Sequence, residues 1–333
     1  MTATLVVRLG GVDPAPLEAA ASAAIAVAGD VDGSIALARS LDGPAPGAGT
    51  SAAYLSLLAT IAAADLTTAR VVEPHLDALA ILGQAGLAPG AGVYGVYAAE
   101  RPGLAPVRAG GGALTGTKPW CSLAGRLDRA LVTAEQDGDR RLFDVDLRDP
   151  RATAVPGTWI ARGLAAVDSG DLVLDAAPAT PVGEAGWYLR RPGFAWGGIG
   201  VAACWFGGAV ALADALLAQR REPDQLALVA IGRADRLLWQ ARSVLADAAA
   251  RIDAGEAEGA RGALLAERVR GVVADAAEQV LLVVGHALGP APLAFDETHA
   301  RRVADLTVYL RQHHAERDEA RQGAAVREQG GWA

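Results

Sequence analysis

The order of its hydrophobic periodicities constrains this chain more than any single motif. Apolar residues at helical spacing come first, then short β-type runs broken by glycine and proline, then helical spacing to the end. Residues 17–28 read as a helix, with Pro16 where a proline suits a helix start. Asp42-Gly-Pro-Ala-Pro-Gly-Ala-Gly reads as a loop, because proline and glycine interrupt regular structure. A second helical tract covers 51–83. Leu55, Leu58, Ala62 and Asp65-Leu66 keep its spacing, and Pro74 is expected to kink or divide it.

Between 86 and 192 the texture changes. β-rich runs at 93–97, 130–134, 141–145, 159–160 and 171–174 alternate with turn signals such as Asp137-Gly138. That is the pattern of a small antiparallel barrel or sandwich. From Val201 onward the pattern is helical. Ile231, Ala234, Leu238, Ala241 and Leu245 form one stripe, and Leu265, Val269, Val272, Ala276, Val280 and Val283 form another. Two such helices pack as an antiparallel pair in a bundle. A third helix is expected over 296–320, after Gly289-Pro-Ala-Pro.

The expected fold class is α+β multidomain: N-terminal helices over 1–86, an antiparallel β-barrel or sandwich over 87–192, and an up-and-down helical bundle over 193–333. The length of 333 residues exceeds the roughly 250–300 that one core supports. This order excludes an alternating βαβ scheme. Gly197-Gly-Ile-Gly enters a helical region with no strand before it, so it reads as helix packing and not as a dinucleotide loop.

Charge and cysteine content narrow the function. The formal net charge is −8 with both signs interspersed, so the chain has no concentrated positive block to displace counterions, and nucleic acid is not an expected partner. The two cysteines, Cys121 and Cys204, make no disulfide framework. No basic segment followed by a long apolar run opens the chain, so a cytoplasmic location is expected. The apolar stretches are broken by charge, with Asp275 and Glu278 inside 272–288, and no membrane span is expected.

Leu114-Thr-Gly-Thr-Lys-Pro-Trp-Cys-Ser-Leu-Ala-Gly, followed by Asp128-Arg-Ala-Leu-Val-Thr-Ala, resembles a landmark of the acyl-CoA dehydrogenase family. That family reads Leu-Asn-Gly-x-Lys-x-Trp-Ile-Thr-Asn-Gly and then a hydrophobic strand, and it shares the helix–β–helix order. Ala98-Ala-Glu-Arg-Pro-Gly resembles its Thr-Glu-Pro-Gly loop, with Ala99 where a threonine is usual. Ala179-Thr-Pro-Val-Gly resembles the exit from its barrel, Phe206-Gly-Gly-Ala the start of its first long bundle helix, and Gly285-His-Ala-Leu-Gly its Gly-Gly-x-Gly corner.

The resemblance implies an FAD-dependent oxidoreductase acting on an acyl-CoA or another small molecule, with FAD between the β part and the bundle. It implies a homodimer or homotetramer, because the glycine corner contacts the FAD of a neighbouring subunit. The implied ring contacts are Trp120 and Ser122, with Cys121 beside them and Glu100 in the preceding loop. An indole can cover an isoalloxazine face, and a hydroxyl can donate to the ring. Arg220 would contact the adenine and pyrophosphate, although Arg220-Arg-Glu-Pro-Asp-Gln lacks the family's Phe-Gly. Gly285, His286 and Gly289 would form the corner.

One part of the pattern is missing. The family's catalytic glutamate aligns with Tyr309 or Leu310, and its alternative location, Gly198-Ile-Gly-Val-Ala-Ala-Cys-Trp-Phe, holds no acid. His313 and His314 follow closely and are candidate bases near neutral pH. Their run, His313-His-Ala-Glu-Arg-Asp-Glu, equally suits a solvated helix end. His313, His314 and Glu316 do not read as a metal site, because adjacent helical residues point about 100° apart. His75 and His299 stand alone; His75, after Pro74, reads as structural. Cys121 and Cys204 are most simply small buried residues. Three functions stay open: α,β-dehydrogenation of an acyl thioester with an unidentified electron acceptor, a flavin-dependent monooxygenase served by a flavin reductase, and a non-catalytic relative.

Overall fold

The computed structural model describes residues 4–41, 43–219 and 222–332. Asp42 of the expected loop and Arg220 of the expected cofactor site lie outside them.

Four helices come first: α1 (Pro14–Ala26), α2 (Val31–Ser40), α3 (Ser51–Ala64) and α4 (Leu66–Gln84). Aspartates cap three of them. Asp13 accepts from the Ala15 N–H, Asp30 from Asp32 and Asp65 from Thr68, each satisfying a backbone donor that the helix itself cannot. The helical tract expected over 51–83 divides at Asp65 and not at Pro74. Asp65 is extended at φ −159°, which ends α3, and its carboxylate then starts α4. The helix runs on through Pro74, whose cost of about 3 kcal/mol is offset by the burial of Val71, Val72, Leu76 and Ala78.

Seven strands follow: β1 (Tyr94–Tyr97), β2 (Arg108–Gly110), β3 (Ala113–Lys118), β4 (Arg129–Gln136), β5 (Asp139–Asp146), β6 (Ala152–Ala154) and β7 (Leu172–Val182). Pairing runs β4–β2–β3–β7–β5 and returns from β5 to β4, so the sheet closes on itself. Among the described residues five of the seven strand pairings are antiparallel, as expected, and two are not. β1 and β2 both pair parallel to β4, because the β2–β3 hairpin and the loop after it carry the chain back to its starting end. The β4–β5 hairpin turns at Asp137-Gly138 with φ of +53° and +86°, as a type I′ turn requires. The run expected at 159–160 is not a strand. The Trp159 indole N–H instead donates to the Leu164 carbonyl at 3.0 Å, and Ile160 is exposed.

The rest is helical: α5 (Trp187–Arg190), α6 (Gly193–Leu217), α7 (Gln225–Asp253), α8 (Gly259–Leu288), α9 (Ala291–Phe295), α10 (Glu297–Tyr309), a 3₁₀ turn (Leu310–Gln312) and α11 (Glu316–Glu328). Ala234, Ala241 and Leu245 of α7 and Val269, Ala276 and Val280 of α8 are buried along their stripes, and the two helices pack together. The single helix expected over 296–320 ends at Tyr309 and a 3₁₀ turn; His313 is extended at φ −88° and ψ 123°, and Ala315, at φ +45°, precedes the start of α11.

The helix α6 is apolar on nearly every face and lies against α3, α7 and α8. A Cβ on Gly207 would stand 2.0 Å from the Ala59 carbonyl oxygen, so this contact with α3 requires glycine. α6 and α8 are both long and apolar enough to cross a membrane, but 78% of the apolar window of α6 is buried in the bundle. It is a core helix.

Candidate functional site

A cavity of about 780 Å³ opens where α4, the closed sheet and the bundle meet. Its size falls in the range of small-molecule sites, roughly 300–1,000 Å³. On the sheet side it is lined by Tyr97, Glu100, Trp120, Ser122 and Ser169. The segment after β3 makes this wall. Trp120 adopts φ +61°, leaves its side chain half-exposed and points the chain back toward the sheet. The Cys121 N–H donates to the Gly170 carbonyl at 2.8 Å and the Leu123 N–H to Asp168 at 2.6 Å. The Tyr97 hydroxyl donates to the Ser122 carbonyl at 2.8 Å.

Leu123 and Leu164 line the same cavity and are also left-handed, at φ +57° and +50°. A non-glycine residue in that region costs about 1–3 kcal/mol, and such strain gathers at functional sites. Asp305 of α10 holds the Leu164 N–H at 2.5 Å, which ties this loop to the bundle. Burial raises the Asp305 carboxyl to about 6 against that hydrogen bond.

The opposite wall carries the charge. Arg70, Glu73 and Asp77 occupy one face of α4 at helical spacing, and all three line the cavity. Arg70 Nη1 donates to Glu73 Oε2 at 2.9 Å, and its Nη2 donates to Ser122 Oγ at 3.3 Å. Ser122 Oγ in turn lies 2.8 Å from Ser169 Oγ. Burial pushes the Glu73 carboxyl up to about 7; Arg70 opposes this and Asp77 adds to it. Burial also raises Asp77, opposed by Arg191 at 3.8 Å. From α8, Arg270 donates to the Gly198 and Gln312 carbonyls and stacks over Trp205 at 4.7 Å.

The residues singled out from sequence divide into three groups. Trp120, Ser122, Glu100 and His314 come together in the cavity. Glu100 accepts there from the fully buried Lys118 at 2.6 Å, and Lys118 also donates to Thr133 at 2.8 Å. Cys121 and His313 sit next to the cavity with their side chains elsewhere. The Cys121 thiol is buried toward the Lys118 carbonyl, and burial pushes its pKa up. The His313 ring packs edge-on to Trp205, 6.3 Å away. Gly285, His286 and Gly289 lie at the far end of α8. There His286 lines a separate open groove with Leu216, Leu226 and Leu282.

Tyr309, which aligns with the family's glutamate, does reach the cavity, with Arg70 over its ring at 5.1 Å. Its hydroxyl has no partner among the described residues, and burial raises its pKa well above the usual phenol value. His75 accepts from the Tyr94 N–H at 3.3 Å, and burial lowers it to about 4, so it serves the fold as a neutral acceptor.

Arg70, Glu73 and Asp77 escaped the reading of the sequence. The signal for them is local: three charged residues at i, i+3 and i+7 on one stripe of a helix whose other residues are mostly apolar. A stripe of that kind is either a solvated face or the wall of a polar cavity. Only the fold, which sets residues of α5, α6 and α8 around the same cavity, decides which.

The lining suits a flavin. A half-exposed indole offers a face for the tricyclic ring, and Ser122 offers a hydroxyl at its edge. Arg191 Nε and Tyr309 Oη, both on lining residues, are buried polar atoms without a partner among the described residues. Groups of that kind call for a water or a polar ligand.

No family model and no curated protein sequence matches the chain. Solved structures do match. KijD3 in complex with FMN and dTDP-3-amino-2,3,6-trideoxy-4-keto-3-methyl-D-glucose is 20% identical, with a TM-score of 0.74, over 93% of this chain and 90% of that one. Nitrososynthase from Micromonospora carbonacea var. africana is 19% identical, with a TM-score of 0.72, over 93% of each. Glutaryl-CoA dehydrogenase from Mycobacterium smegmatis in complex with FADH2 is 16% identical, with a TM-score of 0.71, over 90% of each. The four leading helices, the closed sheet and the terminal bundle of this chain form the acyl-CoA dehydrogenase fold.

Proposed function

We propose that the chain is a flavin-dependent oxidoreductase that dehydrogenates a small acyl thioester at its α,β bond. The observation that carries this is the Trp120 indole, half-exposed and held in a left-handed backbone in the wall of a 780 Å³ cavity. A flavin bound there supplies two-electron acceptance. Trp120 would cover one face of the ring, and Ser122, fixed by Arg70 and Ser169, would meet its edge. Val71, Pro74, Phe194, Val201 and Val308 give the cavity an apolar part fit for a short acyl chain. FAD is the cofactor the family resemblance implies. KijD3 was solved with FMN and glutaryl-CoA dehydrogenase with FADH2, and the isoalloxazine common to both is the part this cavity is argued to hold.

The test is a visible spectrum of the flavin-loaded protein, followed by anaerobic titration with short, medium and branched acyl-CoAs. Bleaching of the oxidised flavin by one of them is the expected result. A spectrum that none of them changes rejects the acyl thioester.

A second reading is a monooxygenase on the same fold. It is favoured by Tyr309, which stands where the family's carboxylate base would be. Protein reduced chemically and exposed to oxygen would then pass through a long-lived hydroperoxide absorbance. Direct return to the oxidised spectrum rejects that reading.

A further inference from the structure

We infer that Glu73, on the N-terminal helix α4, accepts the substrate proton in this cavity, in place of the carboxylate that neither α6 nor α10 supplies. The inference rests on the dehydrogenation proposed above and names the residue that makes it workable.

Position carries the argument. Glu73 is buried yet lines the cavity. Its Oε2 accepts from Arg70 at 2.9 Å, and no described residue donates to Oε1. The same Arg70 reaches the Ser122 hydroxyl at 3.3 Å and lies 5.1 Å from the centre of the Tyr309 ring. One guanidinium therefore places Glu73 beside both the proposed flavin wall and the position the family gives to its base. Arg70 would fix the carboxylate while Oε1 faces the ligand. The α C–H bond breaks and its proton goes to Oε1. Its electron pair forms the second Cα–Cβ bond, and the β hydrogen leaves as hydride to the oxidised flavin. Glu73 passes from carboxylate to neutral acid.

The surroundings suit that change of charge. Arg70 and Asp77 face Glu73 along α4, and Arg270 faces it from α8. Tyr54 of α3, Tyr188 of α5, Cys204 of α6 and Tyr309 of α10 also interact with it, and burial raises all four, so they stay neutral. Burial lifts Glu73 itself to about 7. A base is most effective when its pKa lies near the working pH. Asp77 is the rival acid on the same stripe. It pairs with Arg191 at 3.8 Å and, among the described residues, makes no hydrogen bond to Ser122. His314 has a mostly exposed side chain, 3.4 Å from Asp318.

The experiment compares wild type, E73Q, E73D, D77N and H314Q in two measurements. The first is an infrared pH titration of wild type minus E73Q, with no substrate. A single carboxyl band that disappears as pH rises through about 7 is expected; a difference that titrates with ordinary carboxylates overturns the inference. The second is the rate of anaerobic flavin bleaching by the acyl-CoA that works on wild type. E73Q is expected to lose roughly 10²–10⁴-fold while binding flavin normally. E73D should recover part of that loss, and D77N and H314Q, which also alter the cavity wall, should each lose less than E73Q. Bleaching by E73Q at the wild-type rate, or an equal loss in D77N, overturns it. If no acyl-CoA bleaches wild type, the thioester reading and the proton transfer that rests on it fail together, while the infrared titration still tells whether Glu73 is a carboxyl poised near neutral pH.

Discussion

Arg70 of α4 donates to the Ser122 hydroxyl at 3.3 Å across 52 residues of chain, joining the N-terminal helices to the wall that would hold the flavin. The same guanidinium pairs with Glu73, so one side chain fixes the charge balance of both sides of the cavity.

Arg70→Ala should be severe. Above about pH 8, where Glu73 is ionised in wild type, it leaves that carboxylate buried without its cation, and breaking a buried pair from one side costs about 3–5 kcal/mol. Arg70→Ala,Glu73→Gln should recover much of that loss, because the uncompensated charge is gone. Urea denaturation of the single and double variants checks this. A single variant as stable as wild type contradicts the pair's geometry.

The stability of the protein should fall on the alkaline side through Glu73. Its folded pKa is raised, to about 7 against about 4.5 when unfolded. The neutral acid therefore gives stability that is fully present below about pH 4.5 and is lost as pH rises through 7. A shift of that size corresponds to about 3 kcal/mol. Wild type should lose stability relative to E73Q between pH 5 and pH 8, read from denaturant midpoints across that range. A difference independent of pH means that Glu73 ionises as an exposed glutamate does.

Gly207→Ala should disrupt the α3–α6 contact, because a Cβ there would stand 2.0 Å from the Ala59 carbonyl oxygen. Neither backbone can move far inside a packed core, so a loss of about 1–3 kcal/mol is expected. Gly232→Ala in α7, where a Cβ meets nothing within 4 Å, is the control and should be neutral or stabilising. Thermal melts of both variants check the pair.

The large features of this molecule can be read from sequence because each rests on local chemistry. Helical stripes over 231–245 and 265–283, the Asp137-Gly138 turn and the Trp120 segment announce themselves within a few residues. The parallel pairing of β1 with β4 does not, since it depends on where the intervening hairpin returns the chain. The division at Asp65 has only the local signal of a residue favoured at N-caps, whereas Pro74 is by itself the stronger helix breaker. Glu73 lies far in sequence from every segment that carries the family's chemistry. Only the folding of α4 against the sheet and α6 brings it to the cavity.

The central claim is that an isoalloxazine ring rests on Trp120, and a flavin fluorescence titration tests it most directly. Wild-type protein should quench the fluorescence to saturation at one flavin per chain. Trp120→Ala should weaken binding by at least about tenfold, because stacking on the indole is lost. Its unfolding midpoint should hardly move, because the indole is 54% exposed. Fluorescence unchanged by wild type, or quenched equally by both proteins, contradicts the account.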